Sequence, residues 1–126
     1  MELIKKSFSE PDQRPELPRS RAELLDMGDT ILVRGHLEPG WRWSNDWRPV
    51  MQTPSCQMPH LGVIVAGRFH VELDDGTALE YSPGDAYSIP PGHDAWVVGD
   101  EEVQTLDFVG KGNAVVAAAI EAATHA

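Results

Sequence analysis

The sequence predicts an all-β domain, a small barrel or sandwich, and three observations carry the prediction. The 126 residues include 11 Gly and 10 Pro, spread along the whole chain, so elements are short and turns frequent. Between the turns, apolar residues come in runs of strand length, either alternating with polar residues or continuous. Helical spacing is confined to the C-terminal residues. A chain of this length has apolar material for one core, so one site is sought.

Residues 1–20 carry Pro11, Pro15 and Pro18 among polar and charged neighbours, a composition that reads as an extended arm lying along the domain or along a partner. Residues 22–27 and 30–37 form two strands joined at Gly28-Asp29, a hairpin signal. Pro39-Gly40 then turns the chain into an irregular segment, WRWSNDWRP, that brings Trp41, Trp43 and Trp47 close together in sequence. These indoles either cap the open end of the β core or offer a ligand a stacking platform.

The strongest strand signal is the run 61–66, LGVIVA, apolar at both parities. Such a strand is buried on both faces, and a small barrel covers its outer face only with an arm or a second subunit, which predicts a homodimer. An alternating strand, 69–73, follows Gly67 and ends at the Asp74-Asp75-Gly76 turn. Strands at 78–81 and 86–89 flank the turn Ser82-Pro83-Gly84-Asp85, and strands at 94–98 and 103–108 complete the β region. Asn113 is suited to cap a helix over 114–123. The organisation expected is an arm over 1–20, a barrel over 21–110 and a C-terminal helix within 111–126.

Composition removes several classes of function. A net charge of -10, with basic residues scattered, disfavours nucleic acid as a partner. No apolar run approaches the roughly 18 residues of a membrane helix, and the first residues lack the apolar stretch of a signal peptide, so a cytoplasmic protein is expected. The single cysteine, Cys56, excludes an intrachain disulfide.

The turns are also specifically spaced. Gly84 is followed after five residues by Pro90, one further residue and Gly92, and this G-x5-P-x-G run resembles the second motif of the cupin superfamily. The first cupin motif, H-x-H-x(3 or 4)-E-x6-G, aligns through Gly67, which places His60 at the Glu position, Cys56 at the second His and Pro54 at the first. The resemblance covers residues 40–108 and implies a cupin jelly-roll β-barrel of the RmlC-like type. The runs SCQMPHLGVIVAGRFHVELDDG and PGDAYSIPPGHDAWVVGDE look like those of small single-domain bacterial cupins of the cupin 2 type.

The metal-ligand positions depart from the pattern. The motif His falls on Ala95 and the terminal Asn on Gly99, but His93, two residues before Ala95, shares its strand face. Cys56, His60 and His93 are therefore the expected metal ligands. One unbroken strand would hold positions 56 and 60 about 13 Å apart, too far to share an ion, so Pro59 is read as a turn between them. Two imidazoles and a thiolate suit Zn or Fe better than Mg or Ca, and three protein ligands leave an open coordination position.

A pocket at the barrel mouth is expected to be lined by Trp41, Trp43, Trp47, Met58, Ile64 and Val97, beside the three donors. The resemblance implies a small organic ligand of carbonyl, enol or carboxylate type, with oxygenase, isomerase and lyase chemistry all represented among cupins. The alternative is a non-catalytic ligand-binding or sensing cupin without metal. A third reading is a Cys56 nucleophile activated by His60 or His93, for which the sequence offers neither oxyanion donors nor an orienting third group. Asp94 reads as a surface turn residue, and His36, His70 and His125 as solvent or packing residues.

Overall fold

The computed structural model describes residues 2–112; the helix expected over 114–123 lies outside them. In chain order the elements are β1 (Glu16–Leu17), β2 (Ser20–Asp26), β3 (Thr30–Leu37), α1 (Trp43–Asp46), α2 (Arg48–Met51), β4 (His60–Ala66), β5 (Arg68–Leu73), β6 (Ala78–Tyr81), β7 (Ala86–Ile89), β8 (His93–Val98) and β9 (Val103–Gly110). They build two antiparallel sheets, one in the order β1-β2-β3-β9-β4-β7 and the other β6-β5-β8.

The inward parity of each strand supplies one shared core. Leu37, Ile64, Tyr87, Ile89 and Val103 come from the larger sheet, and Phe69, Val71, Ala95 and Val97 from the smaller. Burying such side chains at roughly 1.5–3 kcal/mol each is what holds the sheets together without a disulfide.

At Gly67 the turn between β4 and β5 is taken at φ +78, while a Cβ would stand 2.5 Å from the Glu102 carbonyl oxygen and 2.8 Å from Val103 Cα. The motif glycine thus serves both a left-handed turn and a close crossing of two chain segments.

The arm departs from a simple extended tail. Leu17 and Glu16 pair with Ser20 and Arg21, and the Asp12 amide donates to the Leu24 carbonyl at 2.9 Å. The preceding residues thus lie over the outer face of β2 and β3, where Phe8 stands under the Arg34 guanidinium. On that same face Glu23 is buried and accepts from Arg34 Nε at 2.7 Å, with His36 Nε2 2.9 Å away.

Among the described residues of one chain, the strand expected to be buried on both faces is buried on one. Ile64 is 1% exposed, but Leu61 and Val65 are 57% and 52% exposed on the opposite face. The described part of the arm ends its coverage over β2 and β3, so among the described residues nothing covers Leu61 and Val65 on the outer side of β4.

The tryptophan segment forms two single helical turns where an irregular stretch was expected. Asp46 Oδ2 accepts from the Arg42 amide at 3.0 Å, and Asp94 Oδ1 from the Ser44 amide at 3.0 Å, satisfying donors that a helix start leaves free. Pro49 suits the first turn of α2, and Gln52 closes it in the left-handed conformation at φ 58.

Candidate metal centre

Three backbone contacts bring the donors together. Cys56 lies opposite His93, its amide donating to the His93 carbonyl at 2.7 Å, and Gly92 N donates to the Cys56 carbonyl at 2.7 Å. His60, past the Pro59 turn, is the first residue of β4 and pairs with Ile89 of β7. One ligand atom from each of Cys56, His60 and His93 then lies within 4.8 Å of the other two.

Both imidazoles are oriented from behind. His93 Nδ1 is 2.9 Å from the Pro90 carbonyl, to which it donates, so Nε2 is left as a lone-pair donor. His60 Nδ1 stands 3.8 Å from Asp107 Oδ2, an ion-pair distance, while its Nε2 is 3.7 Å from Cys56 Sγ. Outer partners on the far nitrogens are what metal-binding histidines ordinarily carry.

The charges are strongly coupled. Burial pushes the Cys56 thiol up, but hydrogen bonds and charge from His60 and His93 outweigh it and lower the thiol to about 6. Burial likewise disfavours a charged His60, yet hydrogen bonding and charge from Asp107 and Cys56 raise it to about 10. Tyr87 is pushed far above the ordinary phenol value by burial and the Asp107 carboxylate, to which its hydroxyl donates. The metal-free site is therefore a thiolate beside an imidazolium, and it can bind a cation once His60 gives up its proton.

Asp107 and Tyr87 were missed in the sequence. The signal for Asp107 was available: in VQTLDFVG it shares the inward parity of Val103, Thr105 and Val109, so a carboxylate points at the core. Gly62 completes the arrangement, since a Cβ there would meet Tyr87 Oη at 2.7 Å and Asp107 Oδ1 at 2.9 Å.

A cavity of about 140 Å³ opens beside the three donors. Trp41, Trp43, Trp47 and Met58 line it as expected, together with Met51, Phe69 and Tyr87. Ile64 and Val97 do not line it: both are packed in the core, and the Val97 amide is covered by the Trp41 carbonyl at 3.1 Å. Asp94 is not a turn residue but part of β8, where it anchors the tryptophan segment through the Ser44 amide and through Arg42 Nε at 3.1 Å. His36 is a buried partner of Glu23, and His70 stacks on Trp96 with ring centroids 4.3 Å apart, both away from the centre.

No protein-family model matches the sequence, and no curated protein matches it. Solved structures do. A protein of unknown function from Rhizobium leguminosarum superposes with a TM-score of 0.62 at 16% identity, covering 87% of this chain and 98% of that one. A sugar phosphate isomerase of the cupin superfamily from Silicibacter pomeroyi gives 0.56 at 17% identity, over 75% of this chain and 60% of its own. A cupin-like protein from Thermotoga maritima gives 0.53 at 17% identity, over 74% and 69%. The fold is the cupin jelly roll.

Proposed function

We propose that this cupin-fold chain binds a divalent metal through Cys56, His60 and His93 and holds a small organic ligand of carbonyl, enol or carboxylate type against it. The observation that supports this reading is the convergence of three donor atoms within 4.8 Å, with both imidazoles backed on Nδ1. The donor set of one thiolate and two imidazoles suits Zn or Fe. When bound, the ion would supply Lewis acidity toward a ligand oxygen at its open position, the basis of isomerase, lyase or oxygenase chemistry.

The chain's own residues do the rest. Asp107 holds the His60 ring by its Nδ1 side, and the Pro90 carbonyl fixes the His93 tautomer so that Nε2 faces the centre. The tryptophan segment closes the cavity side and excludes water, which strengthens every electrostatic contact inside. Metal analysis of protein purified without an affinity tag tests the reading. About one equivalent of Zn or Fe is expected in the parent, falling in His60→Ala and His93→Ala. Metal-free protein whose stability is indifferent to chelator would overturn it.

A second reading is favoured by one observation: Asp107 supplies behind His60 the third group that a Cys56–His60 nucleophile would require. Stoichiometric labelling of Cys56 by an electrophile in metal-free native protein, lost in Asp107→Ala, would support it over the metal reading.

The homodimer is also proposed. Leu61, Val65 and Phe108 are exposed on neighbouring strands of one sheet face, with Leu61 beside Phe108 by the register of β4 and β9. Light scattering should give twice the chain mass, and Leu61→Lys should halve it; a parent that is monomeric at every concentration refutes this. Among the described residues no helix is long and apolar enough to cross a membrane, and a buried free thiol is in keeping with a reducing, cytoplasmic setting.

A further inference from the structure

The cavity beside the centre has one polar end, and the polar groups on the rest of its wall are already engaged. Ser20 Oγ accepts from Trp47 Nε1 at 2.8 Å and donates to the Pro18 carbonyl at 3.2 Å. Thr105 donates to the Tyr87 hydroxyl, which in turn donates to Asp107. Trp41 and Trp43 can offer a ligand only ring carbon, because their Nε1 atoms are fully buried. Among the described residues that border the cavity, Arg21 is the only Lys or Arg. It shares the outward parity of Glu23 on β2, is half exposed and lies 3.7 Å from Glu102. What is left for the polar atoms of a ligand is the cluster of Cys56, His60 and His93, whose ligand atoms lie within 4.8 Å of one another.

The apolar remainder limits the body of the ligand. Leu37, Met51, Met58 and Phe69 line it together with the three indoles. A hydroxyl buried against such a wall loses its water without gaining a partner, and a charge buried there is costlier still. A sugar brings several hydroxyls, and a second anionic group finds no fixed cation. Dry apolar cavities of about 150 Å³ take up molecules the size of benzene, and this one has about 140 Å³. Aromatic walls suit a flat ring through edge-to-face or offset contacts, and methionine thioethers adapt around its edge.

We propose that the ligand is a single uncharged aromatic ring of about benzene size, whose one polar substituent is the oxygen group held at the Cys56–His60–His93 end, and that polyols and dianions are rejected. The placement of the oxygen group rests on the metal reading above; the nature of the body rests on the wall alone.

Benzoate, 3,5-dihydroxybenzoate and terephthalate share a carboxylate on a benzene ring and differ in what else the ring carries, so titrating each by calorimetry and tryptophan fluorescence reads the wall. Benzoate should bind. 3,5-Dihydroxybenzoate should bind at least about tenfold more weakly for its two unpaired hydroxyls, and terephthalate at least about a hundredfold more weakly for its second charge. Met51→Lys places a cation at a half-buried wall position, where its stem can lie along apolar surface. It should narrow the preference for benzoate over terephthalate at least about tenfold, and Met58→Lys repeats the test at a second half-buried position. Failure of benzoate to bind, equal binding of the three probes, or an unchanged preference in a folded lysine variant would overturn the proposal. Repeating the titrations after chelation, with metal content measured on the same samples, separates the two readings. A benzoate preference that persists in metal-free protein upholds the assignment of the body whatever becomes of the metal, whereas equal binding of the three probes to fully loaded protein sinks that assignment and leaves the metal reading standing.

Discussion

Asp107 is the residue on which the electrostatics of the centre turn, and Asp107→Asn isolates its charge. The amide keeps the shape of the carboxylate and can still accept from the Tyr87 hydroxyl. The His60 Nδ1 to Asp107 Oδ2 separation is 3.8 Å. At about that distance, and with an effective dielectric near 20, two unit charges attract by about 4 kcal/mol, a ceiling equivalent to about 3 pKa units. Removing the attraction brings His60 from about 10 back toward its ordinary 6.5. Cys56 then loses its imidazolium at neutral pH, and its thiol climbs from about 6 toward the ordinary 9. Ultraviolet absorbance of the thiolate against pH, measured on chelated protein, reads this directly despite the burial of the sulfur.

The stability profile gives an independent reading of the same change. The raised His60 stabilises fully below pH 6.5 and loses its contribution as pH rises through about 10. The lowered Cys56 stabilises fully above pH 9 and loses its contribution as pH falls through about 6. The His60 contribution that Asp107 supports is complete at low pH and lost only toward the alkaline side, so the stability lost in Asp107→Asn should be largest below about pH 6.5 and shrink as pH rises through about 10. A thiolate midpoint in the variant equal to that of the parent would refute the reasoning.

Other expectations follow from the same contacts. Gly62→Ala drives a methyl into the Leu106 backbone carbonyl oxygen as well as against Tyr87 Oη and Asp107 Oδ1, so the pairing of β4 with β9 must shift, and it should cost at least about 3 kcal/mol in urea unfolding while disturbing metal uptake. Asp94→Ala removes the acceptor of the Ser44 amide and of Arg42 Nε, and should cost about 2 kcal/mol and raise tryptophan exposure to a soluble quencher. Glu23→Gln should lose stability that, in the parent, is complete above pH 4.5. In the parent that contribution is lost as pH falls through the lowered value: burial raises the Glu23 carboxyl, but His36 and Arg34 hydrogen bonds hold it below 4.5. Acid unfolding curves of the two proteins should therefore converge at low pH.

The fold was legible because its punctuation is local. Gly67, Gly84, Pro90 and Gly92 fix turns through backbone conformations that each residue carries by itself, and the strand limits between them follow within a residue or two. The tryptophan segment was less legible. Its helical turns depend on Asp94, about 50 positions away and on another strand, which no local reading of WRWSNDWRP contains. What covers the outer face of β4 was not legible for a related reason: apolar residues at both parities say that both faces want cover, not whether the arm or a second subunit supplies it.

The donor set shows where parity reasoning works and where it stops. His93 sits two residues before the Ala95 position of the motif, which keeps the face and moves the imidazole one rung along β8. Cys56 lies directly across from His93 by backbone pairing, so a thiolate at 56 and an imidazole at 93 are level with each other, as Cys56 and a ligand at 95 would not be. The departures from the motif are thus correlated in space: with positions 54 and 95 lost to it, the proposed ligand set is completed by a donor moved along β8 toward the residue opposite. Alternation alone shows that 93 and 95 share a face. The register of Cys56 against His93, and of Gly62 against Asp107, decides that position 93 is the useful one and that a carboxylate stands behind His60, and register is a property of paired strands, not of either strand alone.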